Sequence, residues 1–371
     1  MSNKREFRIA VFGGDGIGEE VMGLCLRVLD EVTTIVGGFS LKYERYEAGA
    51  TFYRKTGVAL PEETYNKASK ADAILLGAMG MPNIRYPDGR EISPQLDLRE
   101  RLELYAGVRP VRTFPGLTVP LADPRAKDLD FVLVRECTEG LFYSRSQVDL
   151  EDDHVARDTM VISRLGAERL FDFAFRLARK RKANGYRGRV TCVDKANVLG
   201  SFVFFRKIFY ERARQFPDIV ADWSYVDAMA LNLIQRPWDF DVIVTENIFG
   251  DILSDLGAGL MGGLGMAPSA DIGDDHAVFQ PCHGSAPDIA GTGRANPTAM
   301  FLSSVMMLDW LSERHGLMAL AEAADLLDNS ITRAFADGTL VPYEFGGTAG
   351  TEEITETVIK GLHPHCARNN G

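Results

Sequence analysis

Residues 7–32 read FRIAVFGGDGIGEEVMGLCLRVLDEV. The first six form an apolar run of strand length, GGDGIG supplies turn residues, and Val21, Leu24, Cys25, Val28, Leu29 and Val32 recur at helical spacing. The stretch predicts strand, tight turn and amphipathic helix, the opening unit of an α/β protein. It does not satisfy the dinucleotide fingerprint of a Rossmann unit, which needs glycines at its first, third and sixth positions. Counting from Gly14 or Gly16, the sixth position holds Glu19 or Val21. The turn is either a place where a ligand meets bare backbone or a plain structural turn.

Outward from this unit the alternation continues. Strand-like AILLGA (73–78) and DFVLVREC (130–137) interleave with helix-like LDLRERLELYA (96–106) and LGAERLFDFAFRLARKRKA (165–183). GRVTCVD (188–194), YVDAMALNLIQ (225–235) and DVIVTE (241–246) follow, then a helix from about Asn247 to Leu260, a glycine-rich loop, and helical runs near 297–315 and 317–336. The pattern predicts an α/β fold with much parallel sheet. The polar stretch YSRSQVDLEDDHVARDTM (143–160) is either an arm reaching a second subunit or an exposed loop.

At 371 residues the chain has room for two domains or one large interleaved body, and 46% apolar with 25% charged residues excludes a disordered or fibrous class. A net charge of −11 argues against nucleic acid or anionic lipid as a partner, so any bound anion must meet a local basic cluster. Cys25, Cys137, Cys192, Cys282 and Cys366 are odd in number and lack a CxxC pair, which speaks against a disulfide framework or a thiolate zinc site and for reduced core thiols. The N-terminus has no signal-peptide apolar region, and the uncharged segment between Asp255 and Asp271 is broken by glycines and too short to cross a bilayer. A cytoplasmic protein with no membrane partner is expected.

Several residues could carry chemistry. Arg99, Arg109 and Arg135 lie on or beside predicted element ends; converging, they would grip a small di- or tricarboxylate, and apart they are ordinary surface or ion-paired arginines. Asp251 and Asp255 stand four apart on one helix face, a hard-oxygen pair suited to Mg²⁺ or Mn²⁺, or simply acids welcomed near a helix start. Lys195, after a strand, would act as a base if a metal and arginines lowered its pKa, and Asp227 sits in WSYVDAMAL. The loop HGSAPDIAGTGRANP (283–297) suits wrapping a nucleotide, with Asp288 able to accept from ribose hydroxyls and repel a 2′-phosphate.

Taken in order, GDGIG (14–18), LDLRERLELYAGVRPVR (96–112), VRECTEG (134–140), VDKANVL (193–199), VDAMA (226–230), NIFGDILSD (247–255) and HGSAPDIAGTGRANP resemble the metal-dependent β-decarboxylating dehydrogenases that act on isopropylmalate, isocitrate, homoisocitrate and tartrate. The resemblance runs from about residue 8 to 360. It implies an isopropylmalate/isocitrate dehydrogenase-like fold of two α/β domains around an active-site cleft. One domain would be 1–104 plus 262–371 and bind the cofactor; the other would be 105–261, carrying substrate and dimer contacts and an arm near 143–160.

By motif, it implies that Arg99, Arg109 and Arg135 clamp the malate carboxylates. Asp251, Asp255 and the Asp227 of a second copy would hold Mg²⁺ or Mn²⁺, and Lys195 would relay the hydroxyl proton across a homodimer with shared active sites. His283, Gly284, Ser285, Ala286, Asp288, Ile289 and Asn296 would bind the dinucleotide, with Asp288 and Ile289 favouring NAD. The chemistry is coherent: a divalent cation acidifies the alcohol, then stabilises the enolate left when CO₂ departs C3.

Three departures bear on substrate and rate. The family's tyrosine seven residues after Arg135 is Phe142 here, with Tyr143 next, so either a one-residue bulge brings Tyr143 inward as the catalytic phenol or the hydroxyl is absent. A missing general acid costs roughly 10²–10⁴ in rate. The substrate-selecting segment ISPQLDLR carries Ser93 and Gln95, and a buried amide facing an isopropyl group forfeits about 1–3 kcal/mol, while Asp97 would repel a third carboxylate. Gly13 and Glu19 replace flanking prolines at the first turn. The expected activity is NAD-dependent oxidation of a (2R)-malate-type acid (3-isopropylmalate, malate, tartrate or a relative) with decarboxylation at C3. The alternatives are a dehydrogenase without efficient decarboxylation and a catalytically weak regulatory paralogue.

Overall fold

The computed structural model describes residues 5–145, 149–151 and 154–363. Among them twelve strands occur: β1 (Arg5–Gly14), β2 (Phe39–Tyr46), β3 (Ala73–Ala78), β4 (Ala106–Arg112), β5 (Asp130–Glu136), β6 (Asp149–Glu151), β7 (Val155–Arg157), β8 (Arg189–Asp194), β9 (Val220–Tyr225), β10 (Val242–Thr245), β11 (Pro268–Ile272) and β12 (Ala277–Pro281). Ten make one sheet in the order β2-β1-β3-β12-β11-β4-β5-β10-β8-β9, and β6 with β7 forms a separate hairpin.

Parallel pairing links β2, β1, β3 and β12 on one side and β5, β10, β8 and β9 on the other. Between them lies an antiparallel seam, β12 to β11 to β4 to β5. The β11–β4 pairing joins strands drawn from both chain ends to strands drawn from the middle. This α/β architecture agrees with the sequence reading, but the seam was invisible in it because strand direction leaves no mark on local periodicity.

β3 is buried at every position, as a strand covered on both faces should be, and it reads as an unbroken apolar run. The first helix, Ile17–Val36, buries Val21, Cys25, Val28, Leu29 and Val32, with Leu24 half-buried against the same core. Between β1 and this helix, Asp15 ties three segments together: its carboxylate accepts from the backbone N–H groups of Ala50 (2.8 Å), Thr51 (2.8 Å) and Gly80 (2.9 Å).

One predicted element is shortened. The helix expected over 96–106 is Pro94–Arg101, and Glu103 adopts a left-handed φ of 52° before β4 begins at Ala106. Apolar Leu102, Leu104 and Tyr105 extend the helical spacing, but pairing with β5 and β11 claims the chain from Ala106 onward. In the polar stretch the chain forms a short turn at Leu141–Ser144 and then the β6–β7 hairpin, whose second strand is exposed; residues 146–148 and 152–153 of the expected arm lie outside the described residues. Among the described residues no helix is long and apolar enough to cross a membrane.

Candidate active site

A cavity of about 450 Å³ lies over the antiparallel seam. Arg99, from the helix Pro94–Arg101, Arg109 of β4 and Arg135 of β5 all line it, together with Asp251 and Asp255 from the helix Asn247–Met261. The guanidiniums expected to converge therefore do so. All three arginines are buried, which requires partners for their charge.

Asp271 of β11 supplies one. It is fully buried and accepts from Arg99 Nε at 2.8 Å and Arg109 Nη2 at 3.0 Å. Burial alone would raise its pKa, but the two guanidiniums override that and hold it at about 2. Arg135 instead bonds Asn247 Oδ1 through Nε (2.9 Å) and Nη2 (2.7 Å), and pairs with Asp251. Burial lowers the Arg135 pKa, aided by Arg99 and Arg109. Gly250 makes room for this arrangement: a Cβ there would lie 2.6 Å from Arg135 Cγ.

The helix Asn247–Met261 is aimed by Glu246, whose carboxylate caps its start by accepting from Ile248 and Phe249 N–H groups. Asp251 and Asp255 thereby share one face, and burial followed by the Asp251 charge raises the Asp255 pKa. Two close carboxylates are suited to a hard cation. Within one chain, among the described residues, no group of three or more candidate ligands is assembled. Asp227 is elsewhere, on the helix Val226–Gln235, paired with Lys195 Nζ at 2.8 Å, and neither lines the cavity. Lys195 holds the Asp227 pKa down.

Ser93 and Gln95 line the cavity as expected, and so does Asp97, which pairs with Arg145 at 2.8 Å. Tyr143 does not. It is 60% exposed, whereas Phe142 lines the wall with its ring 5.2 Å from the Arg135 guanidinium. The bulge that would turn Tyr143 inward is absent, because the Leu141–Ser144 turn seats Phe142 against Arg135 instead. The cavity's phenol is Tyr86, which composition and spacing did not single out.

A second cavity, about 360 Å³, is lined by His283, Gly284, Ala286, Ile289 and Asn296 and shares His283 and Gly284 with the first. Ser285 is buried beneath the loop, its carbonyl accepting from Ile17 N–H at 2.8 Å and its hydroxyl donating to Gly80 O. Asp288 is exposed on the same loop and does not line the cavity. Glu344, also unforeseen, accepts from Asn296 Nδ2 at 2.6 Å, so the Asn296 amide is held in one orientation with Oδ1 toward Thr298. Of the cysteines, Cys25, Cys137 and Cys192 are buried free thiols, Cys282 instead lines the main cavity, and Cys366 lies outside the described residues.

Asp271 was legible in principle. It is the lone charge in the apolar strand PSADI, and a buried carboxylate demands cationic partners. Tyr86 sits in an irregular segment and Glu344 in the single 3₁₀ turn Tyr343–Phe345, neither of which gives a local signal.

The isocitrate/isopropylmalate dehydrogenase family profile matches residues 8–358. A 3-isopropylmalate/3-methylmalate dehydrogenase of Methanocaldococcus jannaschii is 44% identical over 354 residues, 95% of this chain and 98% of that protein. An isocitrate/homoisocitrate dehydrogenase of Thermus thermophilus is 42% identical over 357 residues, 96% and 98% of the two chains. The crystal structure of an isocitrate dehydrogenase from Methylococcus capsulatus superposes with a TM-score of 0.83 at 34% identity, covering 96% of this chain and 99% of that one. Relatives of near-equal identity thus carry different substrate names, while the fold is common ground: the chain belongs to the isocitrate/isopropylmalate dehydrogenase family of decarboxylating dehydrogenases.

Proposed function

We propose that this protein is a cytoplasmic, NAD-dependent and Mg²⁺- or Mn²⁺-dependent dehydrogenase that oxidises C2 of a (2R)-malate-type acid and releases its C3 carboxyl group as CO₂. One observation carries the reading: Arg99, Arg109 and Arg135 meet Asp251 and Asp255 on a cavity that shares His283 and Gly284 with the loop cavity suited to a dinucleotide. Arginine clamps fix planar carboxylates by paired N–H bonds, which orients the carbon to be oxidised.

The like-charged Asp251 and Asp255 fit a divalent cation, with Asp227 of a second copy completing the oxygen set. Bound cation and nicotinamide would supply Lewis acidity and hydride acceptance. Lys195, held by Asp227, would take the hydroxyl proton in that second copy's site. A homodimer is supported by exposed apolar side chains close in sequence to Lys195, Asp227 and Asp251: Val198 is 68% exposed, Leu231 56% and Ile252 63%. Ser93, Gln95 and Asp97 make the wall beside Arg99 polar, which favours malate, tartrate or a polar 3-substituted malate over 3-isopropylmalate.

Phe142 in the cavity wall and the outward Tyr143 favour a second reading, in which oxidation persists and decarboxylation is slow. One experiment separates these. NADH and CO₂ are measured from the same reactions, with Mn²⁺ and with NAD or NADP, over malate, tartrate, 3-isopropylmalate and isocitrate. Matched release of both supports the first reading, NADH without CO₂ the second, and turnover of none defeats both.

A further inference from the structure

Asp271 lies behind the cavity wall rather than in it, yet it bonds three residues that do line it, each from a different element. Its Oδ2 accepts from Arg99 Nε (2.8 Å) and from Gln280 Nε2 (2.8 Å), and its Oδ1 from Arg109 Nη2 (3.0 Å). Arg109 is tethered further, Nη1 donating to the carbonyls of Val108 and Ala270. Among the described residues Arg99 gives up only Nε, so the paired amino groups of its fork stay available to a ligand. A carboxylate only accepts, so Gln280 must offer Asp271 its N–H. That fixes the amide orientation and leaves Oε1, without a partner among the described residues, as the acceptor of a cavity-lining side chain.

Accepting that the cleft is the substrate site, as proposed above, we infer that Asp271 is a positioning residue: it sets Arg99 as a carboxylate receptor and, beside it, Gln280 Oε1 as the acceptor that the substrate hydroxyl meets on binding, before Lys195 takes its proton. The wall then selects ligands bearing a carboxylate and a hydroxyl on neighbouring carbons over the same acid without the hydroxyl.

Calorimetry on the full-length protein with (R)-malate and succinate, which differ by that hydroxyl, tests this without requiring turnover. The wild type should bind malate at least tenfold more tightly than succinate. Gln280→Leu leaves the Asp271 ion pairs in place and should cut that preference at least fivefold, mainly through weaker malate binding. Asp271→Asn turns an amide N–H₂ toward donors and should weaken both acids at least tenfold, while NAD affinity changes less than twofold. Adding Gln280→Glu to Asp271→Asn re-pairs donor with acceptor and should recover part of the loss. Any substrate turnover lost in Asp271→Asn should fall on KM more than on kcat. Equal binding of malate and succinate by the wild type, or an Asp271→Asn protein that loses NAD and malate affinity alike, would overturn the inference. Should Asp271→Asn fail to fold, the Gln280→Leu comparison decides alone. Failure of the wild type to oxidise any malate would sink the dehydrogenase assignment, yet leave the malate–succinate difference to judge this one.

Discussion

Arg109 Nη2 and Asp271 Oδ1 stand 3.0 Å apart across the β4–β11 pairing, both side chains almost wholly buried. The pair sits where the strands from the chain ends meet those from the middle, so one ion contact both staples the sheet and supports the candidate substrate wall.

Acid stability should report this carboxylate. Its folded pKa, about 2, is below the ordinary value of 3.8, so it stabilises the fold above about pH 4 and the contribution is lost as pH falls toward 2. By linkage that is worth about 2 kcal/mol. Urea unfolding from pH 6 to pH 2 should show wild type losing that much more than Asp271→Asn; parallel curves would contradict it.

The phenol question has a direct readout. Tyr143→Phe should leave both NADH and CO₂ release unaltered, because that ring points away from the cavity. Tyr86→Phe should lower the CO₂ to NADH ratio, by up to roughly 10² if Tyr86 protonates the carbon left by CO₂. Equal effects of the two substitutions would argue against any special role for Tyr86.

Shared active sites predict complementation. Lys195→Met and Asp251→Asn should each be inactive as pure proteins, because Lys195 and Asp251 would serve opposite members of a shared site. Unfolded and refolded together, they should regain about a quarter of wild-type activity, since random pairing leaves half the dimers with one intact site. No recovery, with dimers present by ultracentrifugation, would mean each chain works alone.

Gly16 holds φ at 55°, and a Cβ there would come within 2.0 Å of the Ser285 carbonyl. Gly16→Ala should cost roughly 1–3 kcal/mol of stability. It should also raise the KM for NAD, because Ile17 N–H pins, through that same carbonyl, the loop proposed to hold the dinucleotide. Thermal melts and cofactor titration check both; an unchanged KM would detach the first turn from the cofactor.

The apolar run of residues 7–12, the helical spacing of Val21 to Val32 and the ordered motifs specified an α/β chain and its family, because periodicity and motif order are local properties of a string. They also singled out Arg99, Arg109, Arg135, Asp251 and Asp255 as candidates for one site, and these five line one cavity. Only the folded chain decided that those charges converge, that Asp271 and Gln280 fix the wall, that Phe142 rather than Tyr143 faces it and that Tyr86 joins it. Those outcomes depend on strand direction across the seam and on which face of a turn is buried. Both are set by pairing between residues more than a hundred positions apart, such as Arg109 with Asp271, which no local pattern encodes.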